Sequence, residues 1–226
     1  METNIIYNED CIQGLKNLPN KSVDCVITDP PYGVGKKYDR FKDDISEVVT
    51  LLNSVIPELK RVCKGTILVY ASMKHLKQWL EVNPDRILFF IKDYIQIMPC
   101  TMQYATDPIL VFFGEEKPSN KPMIRDWFHL TTADTSRKPK LKHPTIKPLN
   151  AIKYLVKRFS KEGDIVLDCF MGSGTTALAC KQLNRRWVGY EISPEYCKII
   201  EKRLTENITV SNFNLVKQES LISVKR

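Results

Sequence analysis

The sequence predicts an α/β protein: a mainly parallel sheet with helices on both faces. Three observations predict it. Short apolar runs alternate with segments of helical period along most of the chain. One run, Val23-Asp24-Cys25-Val26-Ile27, passes directly into Thr28-Asp29-Pro30-Pro31-Tyr32-Gly33. That puts a carboxylate, a stiff turn and an aromatic ring at the carboxyl end of a buried strand, where open α/β sheets bind ligands. Another run, Asp164-Ile165-Val166-Leu167-Asp168, leads into Cys169-Phe170-Met171-Gly172-Ser173-Gly174-Thr175-Thr176, which reads as a strand, a glycine-rich turn and a helix start.

The elements follow in order. Residues 5–7 read as a strand, and a helix over 11–18 is ended by the turn signal Pro19-Asn20. Residues 23–28 form the second strand. A loop rich in glycine and charge (Gly33, Gly35, Lys36, Lys37, Asp39, Arg40) follows. Ile45, Val48, Val49, Leu52, Val55, Ile56 and Leu59 then repeat at helical spacing, and Pro57 is expected to kink or split that helix. Strands are predicted at 66–70, 86–91 and 109–113, with a short helical stretch around 75–80. From about 114 to 142 the chain turns polar and proline-bearing, with an aromatic island at Trp127-Phe128. This reads as a loop region inserted into a single domain spanning 1–226. Regular alternation resumes with a helix over 148–159, a strand over 165–169, a helix over 175–183, a strand over 187–190 and a helix over 194–204.

The 226 residues suffice for one sizeable core. The formal net charge of +8 favours a polyanionic partner, though charge alone is weak evidence. Cys11, Cys25, Cys63, Cys100, Cys169, Cys180 and Cys197 are scattered, and none pairs in a Cys-x-x-Cys spacing. They read as reduced, mostly buried thiols. With His75, His129 and His143 they build no zinc-type spacing, so no metal is expected. The polar N-terminus and the lack of a membrane-length apolar run point to the cytoplasm.

At the first turn, two prolines fix φ and remove backbone N–H groups. The carbonyls of Asp29 and Pro30 are thereby free to meet a ligand from a rigid frame. Such a site suits an exocyclic amino group: Asp29 and the Pro30 carbonyl accept its two protons while Tyr32 stacks on the base. The alternative is an ordinary turn with a helix-capping aspartate and a core tyrosine.

At the second turn, Gly172 and Gly174 permit a tight bend and a close approach to a ligand. Ser173 and Thr175 set hydroxyls at the positive end of a helix. A P-loop would need a lysine before the hydroxyl residue, and Thr175 follows Gly174 directly. A dinucleotide fingerprint tolerates the alanine at position 177 and so stays open. Glu191, about 20 residues on, suits a ribose diol, unless it is a solvated charge at a strand end. Upstream, His143-Pro144-Thr145-Ile146-Lys147-Pro148 is either a proline-stiffened linker or a mount that brings Lys147 to a carboxylate at the same ligand. Pro148 is placed in the first turn of the next helix.

These blocks, in this order, resemble the amino-group DNA methyltransferases that use S-adenosylmethionine, in the permuted subgroup whose target-amine motif precedes the cofactor motif. The match rests on Asn8-Glu9-Asp10-Cys11, 28–33, 143–148, 168–176 and Gly189-Tyr190-Glu191. The resemblance implies a Rossmann-like fold with a seven-stranded sheet carrying one antiparallel strand and a circularly permuted motif order. It implies a catalytic role for Asp29, Pro30, Pro31 and Tyr32. Asp168, Phe170, Gly172, Ser173, Gly174 and Thr175 would take the methionine end of the cofactor. Glu191, with Ile192 beside it, would take the ribose, and Asp10 with Cys11 the adenine. Thr145, Lys147 and Pro148 would wall the methionine pocket. The family usually has proline where this chain has Cys169, a departure expected to change the stiffness of the turn more than its chemistry.

Adenine N6 is the expected target, because aspartate before the proline pair is commoner in adenine enzymes of this kind and serine in cytosine enzymes. Cytosine N4, or a non-catalytic subunit of the same fold, are the alternatives. DNA contact is expected from Arg137, Lys138 and Lys140 and from Lys36 and Lys37, with phosphate contacts that position rather than specify. A solvated basic loop is the bland reading. The insertion is short, so either the recognised site is short or a second copy, as in a homodimer, helps to read it.

Overall fold

A computed structural model describes residues 1–38, 40–92, 104–116, 125–129 and 146–205. In chain order its elements are β1 (Ile5–Tyr7), α1 (Cys11–Asn17), β2 (Val23–Thr28), α2 (Ile45–Val62), β3 (Cys63–Tyr70), α3 (Leu76–Trp79) with a 3₁₀ turn at Leu80–Val82, β4 (Arg86–Ile91), β5 (Thr106–Phe112), β6 (Trp127–His129), α4 (Leu149–Phe159), β7 (Ile165–Asp168), α5 (Thr175–Gln182), β8 (Arg186–Tyr190) and α6 (Pro194–Thr205). The strands form one sheet in the order β1-β8-β7-β2-β3-β5-β4-β6. β5 runs antiparallel to both β3 and β4, while the other pairings are parallel.

Because side chains alternate across a strand, each strand feeds two cores. Val26 of β2, Ile67 and Val69 of β3, Leu167 of β7 and Val188 of β8 pack against α1, α2 and Trp79 of α3. Cys25, Ile27, Leu68, Tyr70, Val166 and Trp187 face the other way, onto α4, α5 and Ile200 of α6. Both faces are therefore covered, as the alternation of elements predicts.

Two expectations are corrected. Among the described residues the sheet has eight strands rather than seven, because Trp127–His129, expected to lie in loop, pairs parallel with β4. Phe128 anchors it, stacked between Phe90 at 5.1 Å and Tyr154 at 4.5 Å. Three residues have no period to read, so the strand comes from this stacking rather than from local pattern. Of the kink or split expected at Pro57, the split does not occur: α2 is continuous from Ile45 to Val62. Pro57 and Asn53, whose carbonyl loses its amide partner, are both exposed, so water can take the place of the missing donor. Smaller differences lie at element ends: β3 begins at Cys63, β5 spans Thr106–Phe112, β7 stops at Asp168, and Pro148 is the N-cap of α4 rather than its first residue. Among the described residues, no helix is long and apolar enough to cross a membrane.

Candidate active site

Four neighbouring strands end in carboxylates. In sheet order β1, β8, β7 and β2 are followed by or close with Asp10, Glu191, Asp168 and Asp29. Adjacent strands lie about 4.8 Å apart, so this row spans roughly 14 Å along the carboxyl edge. Above it opens a cleft of about 1100 Å³, open solvent at its mouth included, and all four acids line it. An elongated ligand is what such a row accommodates.

The turn after β2 and the turn after β7 are physically joined. Thr28 Oγ1 donates to Asp168 Oδ1 at 2.7 Å and accepts from the backbone N–H of Cys169 at 3.1 Å. A proline at position 169 has no N–H, so the departure at Cys169 adds a tether that proline cannot make. Phe170 N–H also donates to Asp168, at 3.1 Å. Burial nonetheless dominates and raises the Asp168 carboxyl to about 6. Cys169 and Cys11 line the same cleft, and burial drives both thiols upward, Cys11 to about 12, so neither is a ready thiolate.

At the proline turn, Tyr32 Oη donates to Asp29 Oδ1 at 2.7 Å, and Lys147 Nζ lies 3.1 Å from the same oxygen. Lys147 also donates to Tyr32 Oη at 2.6 Å and sits over the rings of Tyr32 and Tyr70, at 4.8 and 4.6 Å from their centroids. Burial, with Asp29 beside it, pushes the Tyr32 phenol well above its ordinary value, so it remains a donor. The sequence left the Lys147 segment as either a proline-stiffened linker or a mount bringing Lys147 to a carboxylate at the ligand. In the structure its ammonium meets the protein's own Asp29, with Asp107 Oδ2 4.0 Å away and Lys92 paired to Asp107 at 2.7 Å. Trp79 holds the edge of the Tyr32 ring at 5.8 Å.

The loop after this turn is ordered by a residue that sequence reasoning missed. The Asp43 carboxylate, 6% exposed, accepts from the backbone N–H groups of Gly33, Val34 and Lys36 at 2.6, 3.1 and 2.8 Å. Tyr38, Arg40 and Phe41 of the same loop line the cleft, while Lys36 and Lys37 are exposed beside it.

At the glycine turn, Gly172 and Gly174 both adopt positive φ, 52° and 79°. A Cβ on Gly174 would also approach the Ile200 side chain to 3.0 Å, so shape as well as conformation requires glycine there. Glu191 closes the turn, accepting from Gly172 N–H at 2.8 Å and Ser193 N–H at 2.9 Å. Its value is raised mainly by burial. Each oxygen keeps a lone pair for a further donor, as a diol would need. Asp10 caps α1 through Ile12 N–H at 2.8 Å, with Asn8 reaching across to the Glu191 carbonyl at 2.8 Å. Beneath the turn lies Arg203 of α6, absent from the sequence-level candidates, whose guanidinium is lowered to about 10 by burial.

Of the candidates named from sequence, Asp10, Cys11, Asp29, Pro31, Lys147, Asp168, Phe170, Gly172, Ser173, Thr175, Glu191 and Ile192 line the cleft. Pro30, Tyr32, Pro148 and Gly174 are not among its lining residues. Thr145, Arg137, Lys138 and Lys140 lie outside the described residues. Asp107 and Arg203 carried no local motif, because each acts on residues distant in sequence; Asp43 lies in the same loop as the N–H groups it accepts from, but that loop has no period to single it out. Among the described residues no group of His, Cys, Asp and Glu is arranged to hold a metal ion.

The family model described as DNA methylase matches residues 23–202. The type II methyltransferase M.HpaI of Haemophilus parainfluenzae is 30% identical over 229 residues, covering 86% of this chain and 72% of that protein. The DNA adenine methyltransferase YhdJ of Escherichia coli is 28% identical over 248 residues, covering 90% and 83%. Among solved structures, the M1.HpyAVI–SAM complex aligns with a TM-score of 0.62 at 28% identity, over 88% of this chain and 98% of the other. The cytosine-N4-specific PvuII DNA methyltransferase aligns with a TM-score of 0.70 over 95% and 91%; at 17% identity that is a likeness of fold alone.

Proposed function

The chain belongs to the DNA methylase family, and from that membership we propose that it methylates the exocyclic N6 amino group of adenine in DNA with S-adenosylmethionine as donor. The observation that carries the reading is the Thr28–Asp168 bond. It fixes an amine-accepting turn beside a glycine turn suited to the cofactor, at the ends of paired strands. The residues present fit the cofactor. Glu191 has lone pairs for a ribose diol, the glycine turn bears two hydroxyls, and the row of acids has room for an elongated molecule. Asp10 is proposed to meet the adenine end, and Phe170 and Ile192 to add apolar wall.

When bound, the cofactor supplies a methyl group on a sulfonium. Every other requirement falls to the protein. The amino nitrogen of a base is a weak nucleophile because its lone pair is delocalised into the ring. Asp29 and the Pro30 carbonyl, by accepting its two protons, draw the nitrogen toward tetrahedral geometry and localise that pair. Tyr32 provides the stacking face for a base flipped from the duplex, a step costing a few kcal/mol. Lys147 holds Asp29 in place. Alignment of nitrogen and methyl carbon by this rigid frame is worth roughly 7 to 11 kcal/mol. Asp29 is also the nearest acceptor for the proton the methylated amine releases. No cysteine stands at the turn, since Cys25 is buried within β2, so transfer is direct.

Adenine is preferred because aspartate precedes the proline pair and because YhdJ, a relative, is named an adenine enzyme. We assign the reading of DNA to the 114–142 region, with Arg137, Lys138 and Lys140, and to Lys36 and Lys37, within one methyltransferase domain of the permuted subgroup. The test is incubation with labelled S-adenosylmethionine and DNA of mixed sequence, followed by nucleoside analysis. Labelled N6-methyladenine is expected. Labelled N4-methylcytosine would overturn the choice of base, and no label on any DNA would overturn the enzymatic reading.

A further inference from the structure

Arg203, in the last turn of α6, is 2% exposed. Its Nη1 donates to the Ser173 carbonyl, to Ser173 Oγ at 3.0 Å and to Thr175 Oγ1 at 3.4 Å. No carboxylate pairs with it among the described residues. A cation in this place is costly. Burial strips the guanidinium of its hydration, and the positive end of α5 disfavours a positive charge. An anion nearby would offset both.

Hydrogen-bond polarity shows where that anion belongs. An arginine has donors only, so the oxygens of both hydroxyls must accept from it. Each hydroxyl keeps one proton to donate. Ser173 Oγ and Thr175 Oγ1 are 3.4 Å apart, so at most one of those protons is spent between them. At least one is left over, and both residues line the cleft. The turn can thus present a donor to its ligand, while the charge of Arg203 beneath it disfavours a ligand ammonium there.

We propose that Arg203 is a positioning residue that fixes the Ser173 and Thr175 hydroxyls as donors and, through them, holds the carboxylate of the methionine end of S-adenosylmethionine. This rests on the cofactor site proposed above, and it specifies which end group of that ligand meets these hydroxyls.

The test compares two ligands by calorimetric titration. S-adenosylhomocysteine carries the amino-acid end, and methylthioadenosine lacks it. Arg203→Met is expected to weaken S-adenosylhomocysteine by at least about tenfold, the size of a lost hydrogen bond to a charged group. Methylthioadenosine should stay within about twofold. Arg203→Lys should fall between. Equal losses for both ligands would make Arg203 a merely structural residue, and no loss for either would remove its role; either result overturns the proposal. If Arg203→Met does not fold, Ser173→Ala with Thr175→Val carries the same test. The same selective loss is expected, and unchanged S-adenosylhomocysteine affinity would refute the inference. If the unaltered protein binds neither ligand, the proposed cofactor site itself fails, which separates the two readings.

Discussion

At the scale of single residues, the proline turn is a charge arrangement as much as a shape. Asp29 is met by Lys147 at 3.1 Å and by the Tyr32 hydroxyl at 2.7 Å. Lys147→Met should therefore lower the turnover number about 10²-fold or more, in the range of positioned acid–base groups, with little change in cofactor affinity. A variant that keeps its turnover but loses cofactor affinity would return Lys147 to the wall of the methionine pocket. Asp168 offers a second handle. Its folded value, about 6, lies above the ordinary carboxylate range because it is buried. A carboxyl that binds its proton more tightly when folded lends stability that is full below its unfolded value, about 4. That stability is lost as pH rises through 6. Urea unfolding of the unaltered protein, relative to Asp168→Asn, should thus show stability falling between pH 4 and 6, by up to about 1.4 kcal/mol per unit. A relative stability that is flat or rising across that window would contradict the burial argument.

At the scale of elements, the loop from Gly33 to Asp43 is what gives the proline turn its setting. Gly33 has φ 72°, and a Cβ there would come within 2.7 Å of the Ile45 backbone, so the chain enters α2 with no room for a side chain. Three N–H groups of this loop converge on Asp43. Asp43→Ala leaves them unpaired and should destabilise the protein by about 2–4 kcal/mol, read from the urea midpoint, and reduce methyl transfer with it. An unchanged midpoint would mean that water replaces the carboxylate. What was legible in advance follows the same division. β2, β7, their turns and the period of α2 are local patterns, and they stand where the sequence puts them. Asp107 and Arg203 draw their roles from contacts across the fold, and no short window of sequence holds both partners; Asp43 shares a loop with Gly33, Val34 and Lys36, but only the folded loop turns their N–H groups onto it. β6 is too short to show a period, and the tolerance of Pro57 depends on which side of α2 faces water.

At the scale of the whole molecule, an acidic row lies inside a protein whose net charge is +8. The basic excess must therefore sit outside the cleft, as Lys36 and Lys37 do at its rim. Replacing both with alanine should reduce the slope of log affinity against log salt on duplex DNA by up to about 1.8, at 0.9 per phosphate contact. An unchanged slope would return these lysines to the solvated surface. The join between β2 and β7 has a further consequence, for how the protein is made. Thr28 and Asp168 are 140 residues apart. At about 5–20 residues per second of synthesis, β2 waits on the order of ten seconds for its neighbour to be translated. Throughout that interval an apolar strand edge stands unpaired and open to strand addition by other chains. Neither half of the proposed site can be completed by the part of the chain that carries it, so the activity proposed for it arrives late in the life of the nascent chain and all at once.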